Sequence, residues 1–181
     1  DAQVGRILEA LESSEYAQNT VIVLWGDHGW HLGEKEHWRK HALWSVATRT
    51  PLIIAGPRGS HSTIDIAENE VCRSPVSLLD IYPTLIDLCG LPKRSGLDGC
   101  SLVDLLKNPS QTRNRPVVTT FGFNNHAVQT LRWRYIRYAD GGEELYDHFR
   151  DPNEWKNLAI GSQHSARIME MKSHLPKRNR R

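Results

Sequence analysis

The residues best suited to chemistry stand together at the end of an apolar run. Thr20-Val21-Ile22-Val23-Leu24-Trp25 is followed at once by Gly26-Asp27-His28-Gly29-Trp30. A carboxylate and an imidazole are both metal ligands. Between Asp27 and Trp44 lie His28, His31, His37 and His41, four of the nine histidines, together with Trp30, Trp38 and Trp44 of the six tryptophans. Lys35, Arg39 and Lys40 add positive charge there. Carboxylate, imidazole, cation and aromatic in one stretch describe a site for an anionic substrate near a metal. The plainer alternative is a surface loop whose Asp caps a turn.

The elements that must position these groups follow from the apolar pattern. A short, continuous apolar run bounded by turn residues predicts a fully buried strand over Thr20–Trp25, in a parallel sheet. Ligands of open α/β sheets sit beyond the carboxyl ends of strands, which is where Asp27 and His28 fall. Adjacent strand residues point to opposite faces, so both can serve one site only if the chain turns, and Gly26 and Gly29 permit a turn. Val4, Ile7, Leu8 and Leu11 predict an amphipathic opening helix. Pro51–Ala55 reads as a second buried strand, and Arg58–Ser62 as a polar loop. Ser74-Pro75 reads as a helix start, with Pro83 a break or restart and Gly90 the end. Leu102, Leu105 and Leu106 suggest a short helix. Strand-like runs follow at Pro116–Phe121, Ala127–Tyr138 and Glu143–Tyr146, the last two joined by a turn at Asp140-Gly141-Gly142. A helix over Gln163–Leu175 completes the chain. The polar stretch Lys107–Arg115 marks a boundary, giving domains 1–110 and 111–181.

Several strings resemble one family in their joint order. Gly26-Asp27-His28-Gly29-Trp30-His31-Leu32-Gly33-Glu34, Trp38-Arg39-Lys40 and Ala47-Thr48-Arg49-Thr50-Pro51-Leu52-Ile53-Ile54 resemble type I sulfatases of the alkaline phosphatase superfamily, the iduronate-2-sulfatase branch above all. Asp80-Ile81-Tyr82-Pro83-Thr84-Leu85, Leu97-Asp98-Gly99-Cys100-Ser101-Leu102, Arg132-Trp133-Arg134-Tyr135-Ile136, Glu144-Leu145-Tyr146-Asp147, Asp151-Pro152-Asn153-Glu154 and Asn157-Leu158-Ala159 continue the resemblance to the end of the chain. It implies an α/β fold: the carboxyl-terminal portion of an alkaline-phosphatase-like sandwich, a mixed sheet flanked by helices, with a small antiparallel β subdomain and a carboxyl-terminal helix. It also implies hydrolysis of a sulfate monoester, with a sulfated small molecule or glycan as partner.

The resemblance assigns roles residue by residue. Asp27 and His28 become ligands of a divalent metal, Ca²⁺ in this family, although imidazole better suits softer ions. Lys40, at the end of the Trp38-Arg39-Lys40 step, becomes the catalytic cation. Lys35 and Arg39 compete with it on charge alone and are read as solvated loop charges. Glu34 orients the loop. Trp30, His37 and His126 are candidate substrate contacts, with His126 placed in a turn before a strand.

The family's nucleophile is a formylglycine made from a Cys/Ser-x-Pro-x-Arg motif. Cys72, Cys89 and Cys100 precede Arg-Ser-Pro, Gly-Leu-Pro and Ser-Leu-Val, and none fits. The expectation is therefore a carboxyl-terminal part of a longer enzyme. The formylglycine and an Asp-Asp metal pair would lie in a missing amino-terminal half, and this part alone would be inactive. Phosphodiester or phosphonate monoester hydrolysis in the same superfamily, and a non-catalytic sulfated-glycan binding module, are the alternatives. The family suggests a periplasmic, secreted or lysosome-like compartment.

Composition sets outer bounds. The net charge is +2, which argues against nucleic acid as the main partner. Lys177, Arg178, Arg180 and Arg181 concentrate charge in a tail that reads as a solvated end. No apolar run approaches the roughly 20 residues of a membrane span. The cysteines match no zinc spacing and read as small buried residues.

Overall fold

Periodic apolar residues at the start of the chain do form a helix, α1 (Ala2–Glu12). Its apolar stripe is not covered, with Ile7 69% exposed and no α1 residue buried. The computed structural model describes residues 1–57 and 66–179. The polar loop read at Arg58–Ser62 and the tail residues Arg180 and Arg181 lie outside the described residues, Arg58 through Ser62 entirely.

By its contacts the chain groups into two units: Asp1–Trp25, Pro51–Cys72 and Leu78–Ser110 in one, and Gly26–Thr50, Arg73–Ser77 and Gln111–Arg181 in the other. The long loop after the first strand thus packs with the carboxyl-terminal sheet.

In the first unit, β1 (Ile22–Trp25) pairs with β4 (Leu52–Ala55), Ile22 opposite Ala55 and Trp25 opposite Leu52. The pairing is antiparallel, which corrects the expected parallel sheet. Between the two strands the chain holds no helix longer than the single turn at Ser45–Thr48, and an antiparallel return needs no crossover helix. Nor is the pair fully buried. Leu24, Trp25 and Ile53 are exposed, because a two-stranded ribbon has two open edges and few neighbours among the described residues. Ser74-Pro75, which belongs to the second unit, starts no helix. The Ser74 hydroxyl instead donates to the Gln111 carbonyl at 3.1 Å and accepts from the Arg113 amide at 3.1 Å. The helix begins later, with a 3₁₀ turn at Leu78–Asp80 leading into α3 (Ile81–Leu88). Pro83 falls in the first turn of α3, where a missing N–H costs no helical bond. Gly90, at φ +61°, ends it in the left-handed region. The Thr84 hydroxyl accepts the Leu102 amide at 2.9 Å and donates to the Asp80 carbonyl at 2.6 Å, which ties α3 to the start of α4 (Val103–Lys107).

In the second unit, residues 26–50 hold a minimal hairpin, β2 (His31–Leu32) with β3 (Trp38–Arg39), and one helical turn, α2 (Ser45–Thr48). Residues 117–147 form a four-stranded antiparallel meander: β5 (Val117–Thr120), β6 (His126–Gln129), β7 (Trp133–Arg137) and β8 (Glu143–Asp147). The run read as one strand over Ala127–Tyr138 is two. Thr130 turns the chain, its amide donating to the Trp133 carbonyl at 2.9 Å and its hydroxyl accepting the Trp133 amide at 2.9 Å. No Gly or Pro marks that turn. The Asp140-Gly141-Gly142 hairpin forms as expected, with Gly141 at φ +91°.

Alternation along the strands gives the meander two faces. One carries Ala127, Ile136 and Tyr146 and packs on Leu43 and Trp44 of the 26–50 loop. The other carries Val128, Tyr135 and Leu145 and packs on Ile168 and Met171 of α5 (Ser165–Lys172). All three cysteines are exposed and none is in a disulfide, which corrects the buried reading. No described helix is long and apolar enough to cross a membrane.

Candidate active site

The Asp27–His28 pair is held by backbone packing. Gly29 presses on α2: its amide donates to the Ala47 carbonyl at 2.8 Å. A Cβ placed on Gly29 would lie 1.9 Å from the Val46 carbonyl oxygen and 2.7 Å from that of Arg49. Gly29 is therefore required for space, not for the conformational freedom that the sequence suggests; its φ is not positive.

Close approach of Gly29 to α2 sets the geometry beside it. His28 Nδ1 sits 2.7 Å from the Gly29 carbonyl, which accepts the Nδ1 proton. That tautomer leaves the lone pair on Nε2, 3.2 Å from Asp27 Oδ2. Two acceptor atoms at this distance need a shared positive charge, either a proton on Nε2 or a cation bound by both. Two ligands on bonds of about 2.3 Å at right angles lie about 3.3 Å apart, so the pair fits the edge of a divalent metal's shell. The Asp27 side chain is 82% exposed and free to bind. The described residues contain no group of three or more candidate ligands, so among them Asp27 and His28 stand as a pair.

The other expected site residues are placed unevenly. Trp30 is half exposed, its ring centroid 5.9 Å from that of His28. Lys40 is exposed at the end of the hairpin. The adjacent His41 stacks on Phe121 at 5.3 Å. His37 packs edge-on against His31 at 5.0 Å and Trp44 at 5.9 Å, and its Nε2 is buried without a hydrogen-bond partner among the described residues. His126 is not in a turn. It opens β6, is 1% exposed, and lies on the α5 face of the meander with Nδ1 2.8 Å from the Thr120 hydroxyl. Burial pulls its pKa below the ordinary imidazole value, with Asn179 acting the other way. On that face it braces the sheet, and no substrate role is carried forward to it. Glu34 holds the loop as expected: its carboxylate accepts the Leu32 amide at 2.6 Å, the main cause of its lowered pKa.

Lys35 corrects the sequence reading most sharply. It is half-buried, not solvated. Its ammonium lies 4.9 Å from the Trp44 ring centroid and 4.7 Å from that of Tyr146. It donates to the Tyr146 hydroxyl at 3.1 Å and to the Glu154 carbonyl. Lys35 and Glu154 both take left-handed backbone, φ 57° and 60°, a conformation that costs energy away from glycine and must be held by such contacts.

Glu154 is the residue that sequence reasoning missed. It is 1% exposed. Its carboxylate accepts the Ser45 amide at 2.8 Å, so it caps α2 from a distant part of the chain. It also accepts His148 Nε2 at 2.7 Å and lies 3.3 Å from Arg134 Nε. Buried Arg134 donates further to the Leu43 carbonyl, to Gln129 Oε1 at 2.9 Å and to the Thr48 hydroxyl at 2.7 Å. Desolvation lowers the Arg134 pKa, and the Glu154 carboxylate is the largest opposing influence. The sequence held one signal: Arg134 occupies an inward position of an apolar strand, where a guanidinium needs an acid. Nothing in the sequence names the acid. The connected order runs from Glu154 to α2, from α2 to Gly29, and from Gly29 to the Asp27–His28 pair.

Comparisons with known proteins place the fold in one family. The sulfatase family model matches residues 1–91. A sulfatase of Formosa agariphila is 44% identical over 99% of the chain, and the match spans 34% of that protein. Among solved structures, a 2-O GAG sulfatase superposes with a TM-score of 0.81 at 30% identity, covering 95% of this chain and 38% of that one. The phosphonate monoester hydrolase of Agrobacterium radiobacter superposes with a TM-score of 0.77 at 26% identity, covering 95% and 37%. The chain thus spans about a third of the length of the curated relatives it matches. This chain belongs to the sulfatase family.

Proposed function

We propose that this chain is the carboxyl-terminal part of an enzyme that hydrolyses sulfate monoesters, with a sulfated sugar as the favoured substrate. The observation that carries the reading is the Asp27–His28 edge, 3.2 Å between ligand atoms and held by Gly29 against α2. A divalent metal, Ca²⁺ by family, would offset charge on the sulfate oxygens there, and a formylglycine outside this chain would supply covalent attack. Asp27 contributes a hard oxygen ligand and His28 an oriented nitrogen. Exposed Lys40 is free to meet a sulfate oxygen or the departing alkoxide with a compact charge. Trp30, half exposed beside His28, and His37 of the same loop are the candidate substrate contacts.

The test compares the full-length protein with the isolated chain. Full-length protein should turn over an aryl sulfate in calcium, and Asp27→Ala should abolish turnover. The isolated chain should do neither chemistry nor tight calcium binding, because two ligands fall short of the 6–8 typical of calcium. Turnover by the isolated chain would refute the division of labour. The likeness to the phosphonate monoester hydrolase supports a second reading, phosphonate or phosphodiester hydrolysis. Higher kcat/KM on those esters than on sulfates would favour it.

A further inference from the structure

The α5 face of the meander carries a groove of about 820 Å³ that the chemistry above does not use. Trp133 forms part of its wall, with the guanidinium of Arg132 4.9 Å and that of Arg167 5.2 Å from the ring centroid. Both charges are already matched. Arg132 donates to Asp147 twice, at 2.9 and 2.6 Å, and Arg167 pairs with Glu170 at 2.5 Å. Asp151 is engaged too, accepting the Lys156 amide at 2.8 Å.

Two cations of the lining are left over. Arg150 and Lys156 are exposed, and their side chains make no hydrogen bond or ion pair among the described residues. Arg150 acts only at a distance on Asp147, whose carboxylate is already occupied by Arg132. Between them in sequence stands Trp155, 62% exposed. A second depression of about 590 Å³ continues past Trp155 and Lys156 toward Ile160, which is 82% exposed. The surface therefore offers an extended trough with a bare indole and two uncommitted cations.

An exposed indole suits the flat C–H face of a sugar ring, and the unmatched Arg and Lys suit sulfate oxygens. Of the three carboxylates nearby, Asp147 and Glu170 are neutralised by Arg132 and Arg167, and Asp151 sets one negative charge against the two left-over cations. Their presence leaves only a small positive excess, which fits a sparsely charged chain better than a dense polyanion such as nucleic acid. We infer that this trough binds a sulfated oligosaccharide through Trp155, Arg150 and Lys156, on the face of the meander opposite the one that packs on the 26–50 loop. The inference rests on the sulfatase reading for the ligand's chemistry and on the groove's own residues for its place.

The test uses the full-length protein carrying Asp27→Ala, so that ligand is not consumed, and calorimetric binding of a sulfated octasaccharide. Trp155→Ala and the double variant Arg150→Ser/Lys156→Ser should each weaken binding about tenfold, the scale of one stacking contact. Affinity should fall as salt rises, and the desulfated octasaccharide should bind much more weakly. The altered side chains are exposed, and near-ultraviolet circular dichroism confirms folding. In the otherwise native enzyme, Trp155→Ala should leave turnover of a small aryl sulfate unchanged. Unaltered affinity in both groove variants, or equal binding of the desulfated chain, would overturn the inference. Native aryl sulfate turnover combined with either result would sink the groove alone. Absent turnover with groove-dependent binding would sink the hydrolase reading and keep the groove.

Discussion

Replacing Glu154 by Gln tests the chain of contacts that positions the Asp27–His28 pair. The substitution keeps shape and removes the charge from a carboxylate that is 1% exposed and meets Ser45 N, His148 Nε2 and Arg134 Nε at 2.8, 2.7 and 3.3 Å. A hydrogen bond to a charged group contributes about 1.5–3 kcal/mol, and breaking a buried ion pair costs about 3–5 kcal/mol. Gln retains one acceptor oxygen and turns an amide N–H₂ toward donors. Arg134 keeps the Leu43, Gln129 and Thr48 oxygens, which softens the loss. The net cost should be about 3 kcal/mol, roughly 150-fold in the folding equilibrium, or about 6–12 °C in Tm for a cooperative chain of 181 residues. Thermal melts and urea titrations read it directly. Turnover should also fall at temperatures where the variant is still folded, because α2 loses its cap and Gly29 its fixed partner. An apolar double variant, Arg134→Met/Glu154→Leu, should lose less than the two single changes summed, since no orphaned charge remains. A Glu154→Gln melt within about 1 °C of the native protein would refute the reasoning.

Three further outcomes follow from the same geometry. Gly29→Ala should abolish calcium-dependent turnover and lower Tm, because its Cβ would stand 1.9 Å from a backbone oxygen that cannot yield without moving α2; calcium titration of the full-length variant checks it. Lys40→Ala should lower kcat about 10²–10³-fold with little change in Tm, and Lys40→Arg should not restore it, whereas Lys35→Ala should lower Tm because its ammonium is held by Trp44, Tyr146 and the Glu154 carbonyl. His126, whose folded pKa is depressed by burial, contributes stability that is present above its ordinary value near 6.5 and lost as pH falls through the folded value. Melts between pH 8 and 5 should therefore decline more steeply in the native protein than in His126→Gln, and parallel declines would count against a buried neutral imidazole.

What the sequence determined by itself was local or carried by motif. The opening helix, the apolar runs of β1 and β4, the Gly-rich hairpin before β8 and the Asp27–His28 pair were all legible, because each depends on spacing within a few residues. Family membership was legible too, since the ordered strings from Gly26 to Ala159 encode it jointly. Tertiary structure alone decided the rest. Antiparallel pairing of β1 with β4 depends on where the intervening loop returns, and periodicity carries no record of that. The division of Ala127–Tyr138 into two strands depends on a Thr130 hydroxyl bond where no turn residue stands. Glu154 and Lys35 gained their roles from partners 109 and 111 residues away, Ser45 and Tyr146 respectively. A side chain's charge is visible in a sequence, but whether it is solvated or buried against an opposite charge is fixed only when distant segments meet. Gly29 joins the two levels: its identity marks a constraint, and only packing shows that the constraint is the backbone of α2.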